Sequence, residues 1–234
     1  MTAKPFNVGI LVFPNITQLD MTGPFEVFSR MPGARVHLIW KDTRMLCSDT
    51  GLSFLPTTTY DNVGRLDLLC VPGGPGIGDL LEDSETLEFI RRQARTANYM
   101  TSVCTGALVL GAAGLLQGRK ATTHWLSKEL LEAFSATYLA QRVVVDDHLI
   151  TGGGVTAGID FALTVVAQQA GDAIAKQIQL AIEYAPAPPF DSGTPDTAAP
   201  ELVALSRATA ADRQAERAER VARAVASLKL QTPA

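Results

Sequence analysis

The sequence predicts an α/β protein built on a doubly wound, mostly parallel sheet with helices on both faces. Three observations carry that expectation. Near-continuous apolar runs of strand length alternate with helix-length segments, the pattern of a parallel sheet covered on both sides. Glycine-rich turns follow several of those runs. Hydrophobic residues make up 47% of the chain against 19% charged, enough to build a core and too apolar for disorder. At 234 residues the chain fits one such unit.

The elements follow in order. Phe6–Phe13 is β-rich and apolar and ends at Pro14. Leu19–Met31 reads as a short helix carrying Leu19, Pro24, Val27 and Phe28. Arg35–Trp40 alternates as a strand, and Leu66–Val71 is an apolar run closed by Pro72-Gly73-Gly74. Glu85–Ala97 reads as a helix, Tyr99–Val103 as a buried strand and Thr105–Leu116 as the helix directly after it. Val143–Val145 and Leu149–Thr151 form a hairpin or short strand pair around Asp146-Asp147, and Thr156–Ala170 is a long helix opened by Gly152-Gly-Gly154. Pro186, Pro188, Pro189, Pro195 and Pro200 then exclude helix and central strand from residues 185–200. Glu201–Leu230 is rich in Ala, Arg and Glu, with i,i+4 pairs such as Glu216–Arg220, and reads as one helix. The expected division is residues 1–200 as the α/β domain, Pro-rich segment included, with 201–230 packing back on it or on a second subunit.

Charge and composition remove several function classes. The net charge of −4 and pI near 5.4 oppose nucleic acid as a partner, because phosphate neutralisation needs a concentrated basic face. The terminal helix carries six basic and four acidic residues, +2, which leaves −6 on the rest. It leaves no room for a helix-turn-helix. The opening apolar run is too short to span a membrane and lacks a small-residue cleavage site, so a soluble, cytoplasmic protein is expected. Cys47, Cys70 and Cys104 are an odd set without C-x-x-C spacing, and His37, His124 and His148 match no metal template. No metal and no other cofactor is expected.

In a doubly wound sheet ligands bind at the carboxyl ends of the strands. Those ends deliver Asn15–Asp20 with its carboxylate, the Pro72–Gly76 turn, Cys104-Thr105-Gly106, and Gly152-Gly-Gly154. Ser102-Val-Cys-Thr-Gly106 sets a cysteine between a buried strand and a helix, the arrangement of a nucleophile elbow with sulfur in place of a serine oxygen. A helix N-terminus favours thiolate. A free cysteine is more often only a small buried hydrophobe, but the strand-to-helix turn beside glycine favours the nucleophile. Cys70, inside a strand, and Cys47, in a loop, are read as inert. Neither glycine-rich stretch fits G-x-G-x-x-G or a P-loop. They read instead as loops whose backbone donors approach a small substrate, with Gly74, Thr105, Gly154 and Val155 as the binding positions. His124 is either a general base or, as its position favours, a hydrogen-bonded histidine near the sheet edge.

These residues resemble a known family. The strand–Cys–Thr–Gly elbow, the Pro72-Gly-Gly turn and the acidic residue after the first strand look like the ThiJ/PfpI superfamily. Five segments are similar, more closely, to the bacterial isocyanide hydratases. They are Phe13-Pro with Gln18-Leu-Asp-Met-Thr-Gly-Pro24, Val71-Pro-Gly-Gly74, Thr101–Gly106 with Leu108–Gln117, Ala121-Thr-Thr-His-Trp125, and Thr151–Ala162. Glu183–Phe190 with Gly193–Asp196 fits as well. The resemblance implies a flavodoxin-like, class I glutamine-amidotransferase-like fold and a homodimer. It also implies Cys104 as nucleophile, Asp20 as essential acid, Thr105 as the residue after the nucleophile, and an isocyanide as small-molecule substrate. PfpI-type proteases carry His after the nucleophile, where this chain has Thr105, which argues against peptidase activity. The peroxide-sensing and glyoxalase-like members carry Glu where this chain has Asp20, one methylene shorter. A different cysteine-dependent activity, glyoxalase-like or redox-protective, and a non-catalytic sensing module are the competing readings.

Side by side, thiolate and carboxylate repel, so Asp20 and Cys104 are expected to share one proton, with the helix N-terminus placing it on Asp20. The alternative reading of Asp20 is a helix cap.

Overall fold

The computed structural model describes residues 5–231. The first four residues of the N-terminal stretch, and residues 232–234, lie outside them. The chain runs β1 (Phe6–Leu11), α1 (Gln18–Phe28), β2 (Ala34–Trp40), β3 (Leu46–Cys47), β4 (Ser53–Phe54), β5 (Thr58–Thr59), β6 (Leu68–Val71), α2 (Ile77–Leu80), α3 (Ser84–Ala94) and β7 (Tyr99–Val103). It continues with α4 (Gly106–Ala112), β8 (Lys120–Ala121), a 3₁₀ turn (Trp125–Ser127), α5 (Lys128–Glu132), β9 (Thr137–Tyr138), β10 (Val143–Asp146), β11 (Leu149–Gly152), α6 (Ala157–Ala170), α7 (Asp172–Ala181) and α8 (Pro200–Gln231).

Seven strands make one sheet in the order β10-β11-β7-β6-β1-β2-β5. Every pairing is parallel except the β10–β11 hairpin. Its central strands, β2-β1-β6-β7-β11, follow the flavodoxin-like order, which reverses between β1 and β6. Val8, Ile10, Leu68, Leu69, Cys70, Val71 and Val103 are fully buried, as expected of parallel strands covered on both faces. Helices α1 and α6 pack together with α7 beside them, while α3, α5 and α8 gather around α4. None of the described helices is long and apolar enough to cross a membrane.

Three features differ from the sequence reading. Asp172–Ala181 is a helix that the sequence analysis left unassigned. Gly171, at φ +90, breaks the chain between α6 and α7, a conformation that suits glycine. Cys47 lies not in a loop but in β3, paired antiparallel with β4. The helix after Cys104 stops at Ala112 rather than Leu116, because the Gly111-to-Gly118 stretch turns through Gly114 and Gly118, both at positive φ.

Close backbone approaches set the relative positions of the strand ends. Gly158 of α6 lies against Pro24 of α1, where a Cβ would stand 3.1 Å from Pro24 Cδ. Gly106, which opens α4, lies against the end of β6, where a Cβ would collide with the carbonyl oxygens of Val71 and Pro72. Gly106→Ala is therefore expected to destabilise the fold by at least the roughly 1–3 kcal/mol typical of overpacking, lowering Tm by several degrees in a thermal melt. An unchanged Tm would show that the β6–α4 junction yields freely.

Candidate active site

Cys104 occupies the single residue between β7 and the cap of α4, at φ +56. A non-glycine residue there carries strain of order 1–3 kcal/mol unless its surroundings hold it. Several hydrogen bonds do. The Cys104 N–H donates to the carbonyls of Gly152 (3.1 Å), the last residue of β11, and Gly153 (2.8 Å) just after it, and the Cys104 carbonyl accepts from the Thr123 hydroxyl at 2.9 Å. The Thr105 N–H is directed at the sulfur. Cys104 is buried, 5% exposed.

Asp20 approaches from the first strand end. It is fully buried in the first turn of α1, and its Oδ2 accepts the Gly73 N–H at 2.9 Å. Its Oδ1 is buried and meets no donor in hydrogen-bonding geometry, while the carboxyl as a whole interacts with the Cys104 thiol. The cap reading fails on this geometry. Thr17 is the N-cap, and the Asp20 side chain bonds across to the β6 turn rather than to its own helix.

Gly73 is where the three strand ends meet. A Cβ there would stand 2.6 Å from both the nitrogen and the hydroxyl of Thr105 and 2.9 Å from Asp20 Oδ2. Its carbonyl accepts the Thr17 N–H at 3.0 Å. The sequence singled out the neighbouring Gly74 as a substrate donor. In the structure the Gly74 N–H is engaged by the Thr105 hydroxyl at 3.1 Å, so Gly74 positions Thr105. At Gly154 and Val155, by contrast, the N–H groups make no hydrogen bond within the described residues. Gly154 lies against the His124 ring, 3.1 Å from Cδ2 to an added Cβ.

His124 accepts the Leu126 N–H on Nδ1 at 3.3 Å and caps the 3₁₀ turn. Burial, with Arg217 and Arg213 nearby, lowers its pKa and keeps it neutral. Cys70, fully buried in β6, has its thiol pushed up to about 12 by burial. No group of His, Cys, Asp or Glu among the described residues is placed to hold a metal ion.

Burial lifts the Asp20 carboxyl to about 7, against the lowering effect of the Gly73 N–H. Burial, and then the Asp20 charge, push the Cys104 thiol up, and the Thr105 N–H does not offset them. Burial and mutual repulsion therefore oppose ionising both groups at once. With one proton between them, the pair is either a thiol beside a carboxylate or a thiolate beside a carboxylic acid.

Below pH about 7 the pair carries two protons and no nucleophile, so turnover should rise as pH passes through that value. The sign for stability is opposite. The folded pKa of about 7 exceeds the ordinary 3.8, so stability falls as pH rises between the two values, by up to about 4 kcal/mol. Asp20→Asn removes that charge. It is expected to lose roughly 10²–10⁴-fold in kcat while melting no lower, and at pH 8 higher, than the parent. Undiminished kcat with a lowered Tm would return Asp20 to a structural role.

The chain is similar to several known proteins. A sequence model of the DJ-1/PfpI family matches residues 7–168. An isonitrile hydratase of Pseudomonas putida is 54% identical over 223 residues, 95% of this chain and 98% of the hydratase. The crystal structure of a THiJ/PfpI family protein from Pseudomonas syringae superposes with a TM-score of 0.90 at 38% identity, covering 93% of this chain and 90% of that one. The HTH-type transcriptional regulator GbdR of Pseudomonas aeruginosa is 29% identical over 176 residues, and the match covers 72% of this chain but 48% of the regulator.

Proposed function

The chain belongs to the DJ-1/PfpI family, and from that premise we propose that it is an isocyanide (isonitrile) hydratase, converting R–N≡C and water to the formamide R–NH–CHO. The observation that carries the proposal is the buried Asp20–Cys104 pair with one unpartnered carboxyl oxygen, in a chain 54% identical to an isonitrile hydratase over nearly its full length.

The chemistry follows from the pair. Proton transfer from sulfur to Asp20 yields a thiolate beside a carboxylic acid. The thiolate attacks the terminal isocyanide carbon, and Asp20 protonates that carbon, leaving a neutral thioimidate on Cys104 and a carboxylate at Asp20. Asp20 then takes a proton from water as its oxygen adds to the same carbon, and passes that proton to nitrogen. When the C=O forms, the hydroxyl proton returns to Asp20, the C–S bond breaks and the formamide leaves. A carboxyl with a pKa near 7 serves in both directions at neutral pH. The free N–H groups of Gly154 and Val155 are the donors suited to the developing negative charge.

The test is a panel of alkyl and aryl isocyanides with methylglyoxal as the competing substrate, followed by product mass. Formamide is expected with the parent protein, Cys47→Ala and Cys70→Ala, and none with Cys104→Ala. Lactate without formamide would instead identify a glyoxalase, and absence of any turnover would favour a sensing module.

We propose further that the molecule is a cytoplasmic homodimer acting without nucleic acid or membrane. The family resemblance supports the dimer, as do exposed apolar side chains at Phe190, Leu202 and Leu205, in and beside the Pro-rich segment. Residues 1–200 would form the catalytic domain and 201–230 the helix that closes it. Light scattering at micromolar concentration should give about twice 24.9 kDa, and a single-chain mass would exclude the dimer.

A further inference from the structure

Helix α8 is held across the active-site side of the molecule by charge pairs and by apolar contacts. Arg220 reaches Asp79 at 2.8 Å, Arg223 reaches Glu82 at 2.7 Å, and Ala210, Val221 and Ala224 are buried. Between these anchors lies Arg217, 6% exposed. Its Nη1 donates to Ser127 Oγ at 3.3 Å and to Gln214 Oε1 at 3.2 Å. Among the described residues no carboxylate forms an ion pair with it, since Glu216 and Asp79 are both taken by Arg220. A buried guanidinium without a counter-charge is costly, by several kcal/mol in ordinary protein surroundings.

Its surroundings supply one. Ser127, which anchors Arg217, ends the Thr123–Ser127 segment whose Thr123 holds the Cys104 carbonyl. Arg217 also lines a cavity of about 220 Å³ with Asn15, Pro75 and Gly76, from the loops that follow β1 and β6. Arg217 lies within the electrostatic field of Cys104, whose thiolate form favours the charged guanidinium. The Asp20–Cys104 pair is buried, and Arg217 is the only buried Arg or Lys among the described residues. We propose that Arg217 is the counter-ion of the Asp20–Cys104 pair, a positioning residue supplied by α8 that sets the acidity of the nucleophile through space. The inference rests on Cys104 as the nucleophile of the proposed reaction and extends that site to the C-terminal helix.

The test reads thiol acidity rather than hydration, so its failure is separable from failure of the isocyanide reading. The charged group acting on the sulfur directly is Asp20 from α1, with Asp49 acting on Asp20, and those around Arg217 are Cys104, Arg213, Glu216 and His124. The rate of iodoacetamide alkylation at Cys104, resolved by peptide mass, is measured from pH 5 to 10 in the full-length protein. Arg217→Gln is expected to move the inflection up by at least one pH unit and to slow alkylation at pH 7 about tenfold or more. Arg217→Lys keeps the charge and should hold most of the parent profile. Gln214→Glu leaves Arg217 in place and gives it a carboxylate at the distance of the present 3.2 Å contact. It should reproduce the upward shift even if Arg217→Gln does not fold. Folded Gln214→Glu protein with the parent profile, or Arg217→Gln with the parent profile, would overturn the proposal and leave Arg217 as a packing residue of α8.

Discussion

The 2.9 Å hydrogen bond from the Gly73 N–H to Asp20 Oδ2 is the interaction on which the site depends. It joins the ends of β1 and β6, the two neighbouring strands where the sheet order reverses. Turning to the other side, Gly73 also sits within van der Waals contact of Thr105, and so fixes the elbow after β7 against the same point. One residue without a side chain thus sets the spacing of Asp20 and Cys104, which come from segments 84 positions apart in sequence. Any side chain there would collide with the Thr105 backbone and crowd the carboxylate. The bond also uses Oδ2 and leaves Oδ1 as the oxygen without a fixed partner, so the carboxyl is oriented and still has an oxygen available for proton transfer.

That arrangement is maintained against the preference of the fold. A buried carboxyl and a buried thiol each resist ionisation, and together they oppose a second negative charge. The strand-to-helix elbow adds backbone strain at Cys104, held by the carbonyls of Gly152 and Gly153. Both costs fall at the same place, and both serve reactivity. A buried carboxyl whose pKa is about 7 exchanges its proton readily near neutrality, whereas an exposed aspartate would hold its charge and an exposed thiol would be open to oxidants. The packed sheet, with β6 fully buried and β1 and β7 buried beyond their first residues, supplies the stability that tolerates this.

Much of this was legible in the sequence. Near-continuous apolar strands gave the parallel sheet, and the strand–Cys–Thr–Gly pattern marked the elbow because the residue types there have few other local uses. The roles of the glycines were less legible. Pro72-Gly-Gly announced a turn with backbone donors, but only the spatial closure of β6 on α1 decides that Gly73 serves Asp20 and that Gly74 serves Thr105. His124 was ambiguous for a similar reason, since its capping bond to Leu126 depends on a 3₁₀ turn too short to leave a periodic signal. Arg217 was not singled out at all. It is one of six basic residues on a helix with regular i,i+4 pairs, and nothing local separates the guanidinium that is buried from those that stay in water. Docking of α8 through Arg220 and Arg223 makes the distinction, and that docking is tertiary.

Charge accounting through the proposed reaction shows why one fixed cation would suit this site. At rest the pair holds a thiol and a carboxylate, or after proton transfer a thiolate and an acid, and the sum is −1 in either form. Once the thioimidate has formed, sulfur is neutral and Asp20 is again a carboxylate. Water addition and collapse move protons between Asp20, nitrogen and oxygen, and return thiolate with acid. At each resting point of the cycle the total charge of the pair and its adduct is therefore −1, although its location alternates between sulfur and carboxyl. A counter-ion placed to one side, on α8, stabilises that constant total without having to move, which a hydrogen-bond donor locked on either atom alone would not do. A preorganised charge in a dry site acts without reorganisation at the moment of reaction. The isocyanide, neutral and without a leaving group of its own, brings no charge that would disturb the balance.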